Sequence, residues 1–571
     1  MATTGPTRTW PATLRLGLIG GVGAVLVGLI GMVERFSVQE IVYGVVSLGH
    51  TLYLGALVFT AYGAAGRLQR DDAPAWRVAG AGTLAGAAAA AVVAAFVLLG
   101  ETVNLRWMFV NATSELYHLL TFTEGPAVAA RAGIPGLVAL AAIVGATAGA
   151  AHLLGRRLVR SLGVALAATL VVALLSALLR TVLRDLRLGG VFAGWLLAPE
   201  GLAAGGALAL FLAVAGLHAL WARQAPLLEA ALGRQPPARR RAVRLALWAA
   251  AGLVLVALPQ VLGSYLSEVL NQVGLFILLG LGLNIVVGFA GMLDLGYVAF
   301  FAIGAYTVAV LTSPEKIGTL TFWQALPVAV VVAVLAGVVL GIPVLRMRGD
   351  YLAIVTLGFG EIIQLLARSE WLRPLLGGAQ GVAAIPPISL PAFGIEISGP
   401  DKPQKLFYLI LVACVLAAFV AVRLKDSRVG RAWMALREDE DVAQAMGIDL
   451  VSTKLLAFAT GAALSGVSGA IFATKLGTIY SDSFDLLISI NILALIIVGG
   501  MGSIPGVIVG ALALIGLPEL LREFAEFRLL VYGALLVVMM LKRPEGLVPS
   551  TIVRRELHAD EPPPVAAVER A

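Results

Sequence analysis

The sequence predicts an all-α, polytopic membrane protein with about sixteen spanning helices. Hydrophobic residues make up 59% of the 571 residues, whereas charged residues make up only 13%. Apolar runs of about 20 residues, the length that crosses a hydrocarbon core of about 30 Å as a helix, recur along the whole chain. Helices are expected because lipid leaves open strands and loose backbone groups without hydrogen-bond partners.

The expected spans form two groups, and both termini are predicted to be cytoplasmic. The first group comprises six spans, at 12–32, 41–65, 78–99, 133–154, 162–180 and 201–221. The second comprises ten, at 245–262, 271–290, 297–313, 324–345, 351–368, 406–423, 452–474, 485–499, 503–519 and 528–541. This assignment places most basic clusters on one side, as the positive-inside rule requires. The net charge of +7 is thereby explained without a nucleic-acid partner.

A polar, arginine-rich segment at 222–244 separates the two groups. It predicts a cytoplasmic linker between a membrane region at 1–221 and a second membrane domain at 245–550. A cytoplasmic tail is expected at 551–571. Small residues in "GAGTLAGAAAA", within the first region, predict close helix packing there.

The residue inventory argues against an enzyme. The single cysteine, Cys414, and five scattered histidines match no metal-ligand spacing. The chain contains no GxxxxGK[ST] phosphate-binding loop and no triad-like spacing. We therefore expect no catalytic residues, no bound metal and no cofactor.

One charged segment, "GRAWMALREDEDVAQAMGID" at 430–449, lies between apolar spans. Its seven charges would cost about 20 kcal/mol in lipid, so the segment is expected to stay in water on the cytoplasmic face. The four acids Glu438–Asp441 are expected to open a short helix, and Gly447 to end it. Arg431 and Trp433 are expected to anchor it at the membrane interface. From the residues alone, this helix is either a solvated connector or a surface that receives force from a soluble partner.

The segment resembles the cytoplasmic loop of LivM-type permeases, which are membrane subunits of branched-chain amino acid ABC importers. "GLNIVVGFAGMLDLGYVAFFAIGAYT", "LRMRGDYLAIVTLGFGEIIQLL", "IIVGGMGSIPGVIVGA" and "MMLKRPEGLVPS" resemble other segments of that family, in the same order. The resemblance covers about 250–550 and implies a ten-helix permease body. In "GGAQGV", Leu376 precedes the first glycine where the family more usually has threonine. The six N-terminal helices go beyond the family's permease body, and no motif assigns them a role.

The resemblance implies that the charged segment couples the permease to ATPase subunits. The residues expected to do so are Gly430, Arg431, Ala435, Arg437, Glu438, Asp439, Asp441, Ala443, Met446 and Gly447. The implied partners are two cytoplasmic ABC ATPases, a second permease of the LivH type and an extracytoplasmic amino-acid-binding protein, besides membrane lipid. The implied location is the bacterial inner membrane.

Sparse polar residues inside the spans are candidates for the translocation pathway, because buried polar groups in a membrane need a partner or a function. They are Asn284, Glu361, Gln364 and Asn491, together with Gly288, Gly291 and Asp294 of a glycine-rich segment that interrupts two apolar runs. Such a segment either lines a cavity or forms an ordinary cytoplasmic turn. Glu361 and Gln364 share a helix face, where they either line the route or pair with another helix.

Three other functions stay open on the sequence. An ion-coupled secondary transporter would be expected to contain inverted repeats, and no clear repeat is visible. Related permeases handle urea or other small amides, so the cargo could be one of these. A membrane scaffold whose N-terminal half is the active part is the third.

Overall fold

The computed structural model describes residues 9–70, 74–123, 128–185, 194–233, 237–344, 347, 350–390, 395–398, 402–520 and several positions within 533–550. The chain divides into two compact units, Met1–Ala249 and Ala250–Ala571. The predicted tail at 551–571 and much of the predicted span at 528–541 lie outside the described residues.

The N-terminal unit is a set of helices with one small hairpin. Its helices are α1 Thr9–Leu29, α2 Met32–Ser37, α3 Leu48–Arg70, α4 Ala75–Thr102, α5 Ser114–Thr121, α6 Ile134–Ala151, α7 Arg156–Leu174, α8 Ser176–Asp185 and α9 Ala204–Gly233. The antiparallel strands β1 (Glu40–Val42) and β2 (Val46–Ser47) precede α3. Helices α1, α3, α4 and α6 pack against one another, and α7 packs against α9.

Glycines set the close contact between α4 and α6. A Cβ added to Gly82 would lie 2.2 Å from the carbonyl oxygen of Gly145, and one added to Gly145 would lie 2.3 Å from that of Gly82. Gly86 approaches the carbonyl of Ala141 in the same way. The prediction of close packing by small residues is therefore confirmed for α4, because any side chain at these positions would push the two helices apart.

The second unit contains most of the remaining helices. They are α10 Pro237–Leu283, which begins before the unit boundary, α11 Val298–Thr312, α12 Phe322–Val344, α13 Asp350–Arg368, α14 Arg373–Leu376, α15 Pro403–Lys425, α16 Arg428–Glu438, α17 Glu440–Ala445, α18 Leu450–Leu476, α19 Leu486–Gly499, α20 Ile504–Ala511 and α21 Leu517–Leu520. Asn284–Phe289 and Leu512–Gly516 form π-helical turns. The short strands β3 (Ser389–Leu390) and β4 (Ile395–Glu396) pair antiparallel.

Helix α18 lies at the centre of this unit. It packs along both α11 and α12. Glycines again permit the approach: a Cβ on Gly304 of α11 would lie 2.3 Å from the carbonyl oxygen of Gly466, and one on Gly469 would lie 2.0 Å from that of Phe301. The core around them is formed by large apolar side chains such as Phe300 and Phe458, both fully buried.

The all-α polytopic class is confirmed, whereas the count of sixteen spans stays a prediction. Eleven helices of the described residues are long and apolar enough to cross a membrane, and Val298–Thr312 and Ile504–Glu519 are shorter apolar helices. The predicted spans 245–262 and 271–290 lie on either side of Gly263, where α10 is kinked and the backbone is not helical, with φ of 73°. The second of these spans ends in the π-helical turn Asn284–Phe289. The linker predicted at 222–244 contains the end of α9 and the start of α10.

Candidate coupling site and helix break

The charged segment forms two short helices instead of one. Ser427 caps α16 by accepting a hydrogen bond from the backbone N–H of Gly430. Asp439 is extended and ends α16, and its Oδ1 accepts from the N–H groups of Asp441 and Val442 to cap α17. Gly447, with φ of 86°, follows α17 as predicted. The helix is interrupted at Asp439 because aspartate is more favourable as a helix cap than inside a helix.

Two details of the sequence prediction are wrong. Glu438 is the last residue of α16, so only Asp439, Glu440 and Asp441 open the acidic helix, which has six residues. Trp433 does not anchor the segment in the membrane interface. Its side chain is fully buried, and its Nε1 donates to the backbone oxygen of Thr453 at 2.9 Å.

The two helices are held against the start of α18. Besides the bond from Trp433, a buried ion pair joins Lys454 of α18 to Glu440 of α17 at 2.9 Å. The Lys454 side chain is 3% exposed and that of Glu440 is 22% exposed. Ala443 is buried on the same side of α17. A displacement of α17 therefore requires α18 to move with it or the ion pair to break.

The opposite side of the segment faces solvent. Val442 is 59% exposed and Met446 is 79% exposed, and they lie four residues apart on one face of the α17 segment. Glu438, Asp439 and Asp441 are exposed beside them. This surface, the α17 face, combines two apolar side chains with three acids.

The glycine-rich segment forms a true interruption between α10 and α11. The π-helical turn Asn284–Phe289 is followed by non-helical residues 290–297. Asn284 is buried, and its Oδ1 accepts from the N–H of Gly502 at 2.9 Å, so this amide has the partner that its depth requires. A Cβ on Gly288 would lie 2.2 Å from that Oδ1. We call residues 284–297 the helix break.

Arg437 connects the charged segment to the helix break. Its Nη1 donates to the backbone oxygen of Gly288 at 2.9 Å. Gly291 has φ of 72°, and a Cβ added there would lie 2.8 Å from Cγ of Arg437, so the backbone of the break lies directly on the arginine stem. Nζ of Lys425 donates to the backbone oxygen of Gly502 at 3.3 Å. A cavity of about 310 Å³ lies among these groups.

Asp294 is the buried carboxyl of the break. It is fully buried, and its Oδ1 accepts from the N–H of Gly296 at 2.9 Å. Its Oδ2 has no hydrogen-bond partner among the residues that the structure describes. Burial raises the pKa of this carboxyl, which lies between the spans, to about 7.

The remaining pathway candidates do not join this cluster. Glu361 and Asn491 are half-buried on α13 and α19, whereas Nε2 of Gln364 lies 3.4 Å from the backbone oxygen of Ser481. Near Gln364, Arg368 pairs with Asp482. A second cavity, of about 380 Å³ and almost wholly apolar, lies among α11, α12, α13 and α14. Within the described part of the chain, no group of three His, Cys, Asp or Glu residues is placed to hold a metal ion.

Sequence reasoning missed several residues that connect these features. Lys425 and Lys454 were not singled out. Lys454 could have been found, because a lysine in the second turn of an apolar span needs an acidic partner nearby. Gly502 lies in the quoted "GGMGSIPG" turn, but only the fold brings its backbone to Asn284. Ser465, on α18, carries a buried hydroxyl that lies close to the phenol of Tyr297 at the end of the helix break.

Residues 265–540 match the family model described as "Branched-chain amino acid transport system / permease component". The chain is 42% identical over 319 residues to the high-affinity branched-chain amino acid transport system permease protein LivM of Salmonella typhimurium, covering 52% of this chain and 73% of that protein. It is also 42% identical over 330 residues to LivM of Escherichia coli, covering 54% and 76%. LivH of Salmonella typhimurium is 25% identical over 303 residues, covering 50% and 95%. No solved structure matches the chain.

Proposed function

We propose that this chain, which belongs to the family of branched-chain amino acid transport permeases, forms the translocation pathway of an ATP-driven importer. The cargo is a branched-chain amino acid, the class that its relatives are named for. ATP is hydrolysed on two partner ATPase subunits. A LivH-type permease and an extracytoplasmic binding protein complete the assembly in a bacterial inner membrane.

One observation carries the proposal: Arg437 of the charged segment donates to Gly288 of the helix break. In an importer driven by separate ATPases, a cytoplasmic surface has to be mechanically connected to the membrane pathway. Here a single side chain makes that connection over 149 positions of sequence. A solvated connector would need no such bond, because it would only keep two spans apart.

A second connection runs through α18. The ion pair of Lys454 with Glu440 fixes α17 to this helix, and Tyr297 Oη, at the end of the break, donates to the oxygen of Gly461 on the same helix at 2.8 Å. Movement of α17 thus reaches the break by two routes. ATP binding biases access to one side of the membrane only if the docked contacts differ between the two states.

The α17 face has the chemistry of a docking surface. The exposed apolar pair Val442 and Met446 suits a shallow apolar cleft on the ATPase, and the neighbouring acids suit basic residues around it. Charge complementarity of this kind governs the rate and register of association more than its strength.

The test reverses the charge of two exposed acids, Glu438 and Asp441. Glu438→Lys with Asp441→Lys leaves the cap of Asp439 and the ion pair of Glu440 in place. We expect this variant to insert normally and to lose most ATP-dependent leucine uptake and ATPase co-purification. Glu315→Lys, an exposed acid on the loop that follows α11, is the matched control and should retain both. Normal uptake by the doubly reversed variant would refute docking through this face.

The cargo is tested separately, in proteoliposomes containing the complete complex and its binding protein. Uptake of labelled leucine should be reduced by excess isoleucine or valine and unaffected by urea or acetamide. Inhibition by the amides alone would assign the chain to another substrate class within the same family.

A further inference from the structure

The carboxyl of Asp294 is an unusual group for the interior of a membrane protein. It is fully buried, only Oδ1 has a described hydrogen-bond donor, and Oδ2 has none among the described residues. An ionised carboxylate in such a place costs several kcal/mol unless a positive charge compensates it. The alternative is that the carboxyl is neutral and carries a proton.

The surroundings of Asp294 supply no compensating charge from the described elements. Helix α13 presents the hydroxyl of Thr356 beside the carboxyl, and its acid Glu361 lies five residues further along. Tyr297, just before α11, is the titratable group that faces Asp294 from that helix. The hydroxyl of Ser465, which is on α18, lies close to the phenol of Tyr297.

Two further elements pack on the break. Helix α19 contributes Ser489, whose Oγ accepts from the N–H of Val298. The basic side chain that approaches, Arg437 of α16, lies against Gly291 and directs Nη1 to the oxygen of Gly288.

The backbone keeps this carboxyl away from water. A Cβ on Gly296 would lie 1.7 Å from the carbonyl oxygen of Thr356, so the break lies flat against α13 with no room for a side chain. The N–H of Leu295 donates to Oγ1 of Thr356 at 3.0 Å and closes the same contact. Asp294 is 0% exposed here, and separation of the break from α13 would open it to water.

We propose that Asp294 is a proton-binding site, neutral while the helix break is closed against α13 and ionised when the break opens to water. The proton is taken from water on closure and returned to water on opening, so no other co-reactant is needed. The inference rests on the proposed function, because it makes the two access states of the permease differ by up to one bound proton, the difference being largest at mildly acidic pH.

The size and sign of the effect follow from linkage. The closed state holds the proton with a pKa of about 7, and exposure to water would return the carboxyl toward its ordinary value of 3.8. The closed state is therefore favoured at low pH and loses that advantage as the pH rises through about 7. Between about pH 6 and pH 8, the ratio of closed to open states falls about tenfold.

The direct test is infrared difference spectroscopy of the full chain in lipid. A carbonyl band of a protonated carboxylic acid should be present at pH 6, disappear with a midpoint near pH 7, and be absent in Asp294→Asn. Asp482→Asn, which removes an exposed acid, is the matched control and should retain the band. Absence of a titrating band in the unsubstituted protein, or its persistence in Asp294→Asn, would overturn the proposal.

The functional readout separates this inference from the proposed function. Asparagine imitates the neutral acid and still accepts from Gly296, so Asp294→Asn should transport leucine with a flattened pH profile between pH 6 and pH 8. An unchanged profile would sink the proton site and leave the importer intact, whereas no leucine uptake by the unsubstituted complex would refute the proposed function. A third outcome would also overturn the proton site. If adding leucine at pH 6 removed the carboxylic-acid band, and if Asp294→Asn raised the KM for leucine at every pH, Asp294 would instead bind the ammonium group of the substrate.

Discussion

Replacing Arg437 by glutamine should uncouple ATP hydrolysis from uptake. The substitution removes the charged donor that reaches Gly288 at 2.9 Å and leaves a shorter, neutral side chain. A hydrogen bond from a charged group contributes about 1.5–3 kcal/mol. Arg437 is half-buried, and solvent screening reduces this to about 1–2 kcal/mol.

We expect the bond to be made in one access state and broken in the other, so this free energy is the largest bias that ATPase docking can pass to the break through it. Since 1–2 kcal/mol corresponds to about a five- to thirtyfold change in an equilibrium, leucine transported per ATP hydrolysed should fall by about that factor. The assay is simultaneous measurement of uptake and phosphate release in proteoliposomes with both ATPases present. The bond to α18 through Lys454 is untouched, so assembly should persist.

Arg428→Gln is the matched control, because Arg428 is the first residue of the same helix, is exposed to solvent and lies outside the charged segment. It should change the transport ratio by less than about twofold, as expected for an exposed surface contact. If Arg437→Gln keeps the unsubstituted ratio, or if both variants lose it equally, the bond to Gly288 does not transmit the force.

Three other predictions concern stability and topology. Lys454→Met breaks the largely buried ion pair with Glu440 and should lower the unfolding free energy by about 3–5 kcal/mol, of which Glu440→Gln in the same chain should restore a part. Gly291→Ala should cost at least about 1–2 kcal/mol, because φ is 72° and the added Cβ would also lie 2.8 Å from Cγ of Arg437. Gly358→Ala, with open space around it in a helix, should be neutral or stabilising, and thermal unfolding in lipid measures both variants and the Lys454 pair. A cysteine introduced within 222–244 of a cysteine-free background should react with an impermeant maleimide only from the cytoplasmic side, and reaction from outside would contradict the predicted span order.

The charged segment shows how far sequence reasoning reaches. Its exclusion from lipid follows from the cost of its charges, and the glycine stop at Gly447 was predictable from local backbone rules. The division at Asp439 and the burial of Trp433 were not. An aspartate in an acidic run is both a good cap and a tolerable first-turn residue, and a tryptophan suits an interface as well as a core.

The helix break was visible in the glycines, but its partners were not. Asn284 at mid-span indicated that some group must satisfy an amide, and only the fold identified that group as the backbone of Gly502. Likewise, the sequence singled out Arg437 and Gly288 separately, for different reasons. Their contact crosses 149 residues, and no local pattern encodes it.

By itself, the sequence determined the class of this protein. The lengths of the apolar segments and the placement of the charges follow from the free energy of putting each segment in lipid, and the ordered motifs follow from resemblance to known segments. The tertiary structure decided which of the polar residues act together. Pairings such as Lys454 with Glu440 and Arg437 with Gly288, and the isolation of Asp294, depend on how helices pack, because a buried polar group is stabilised or left unpartnered only by neighbours that are distant in sequence.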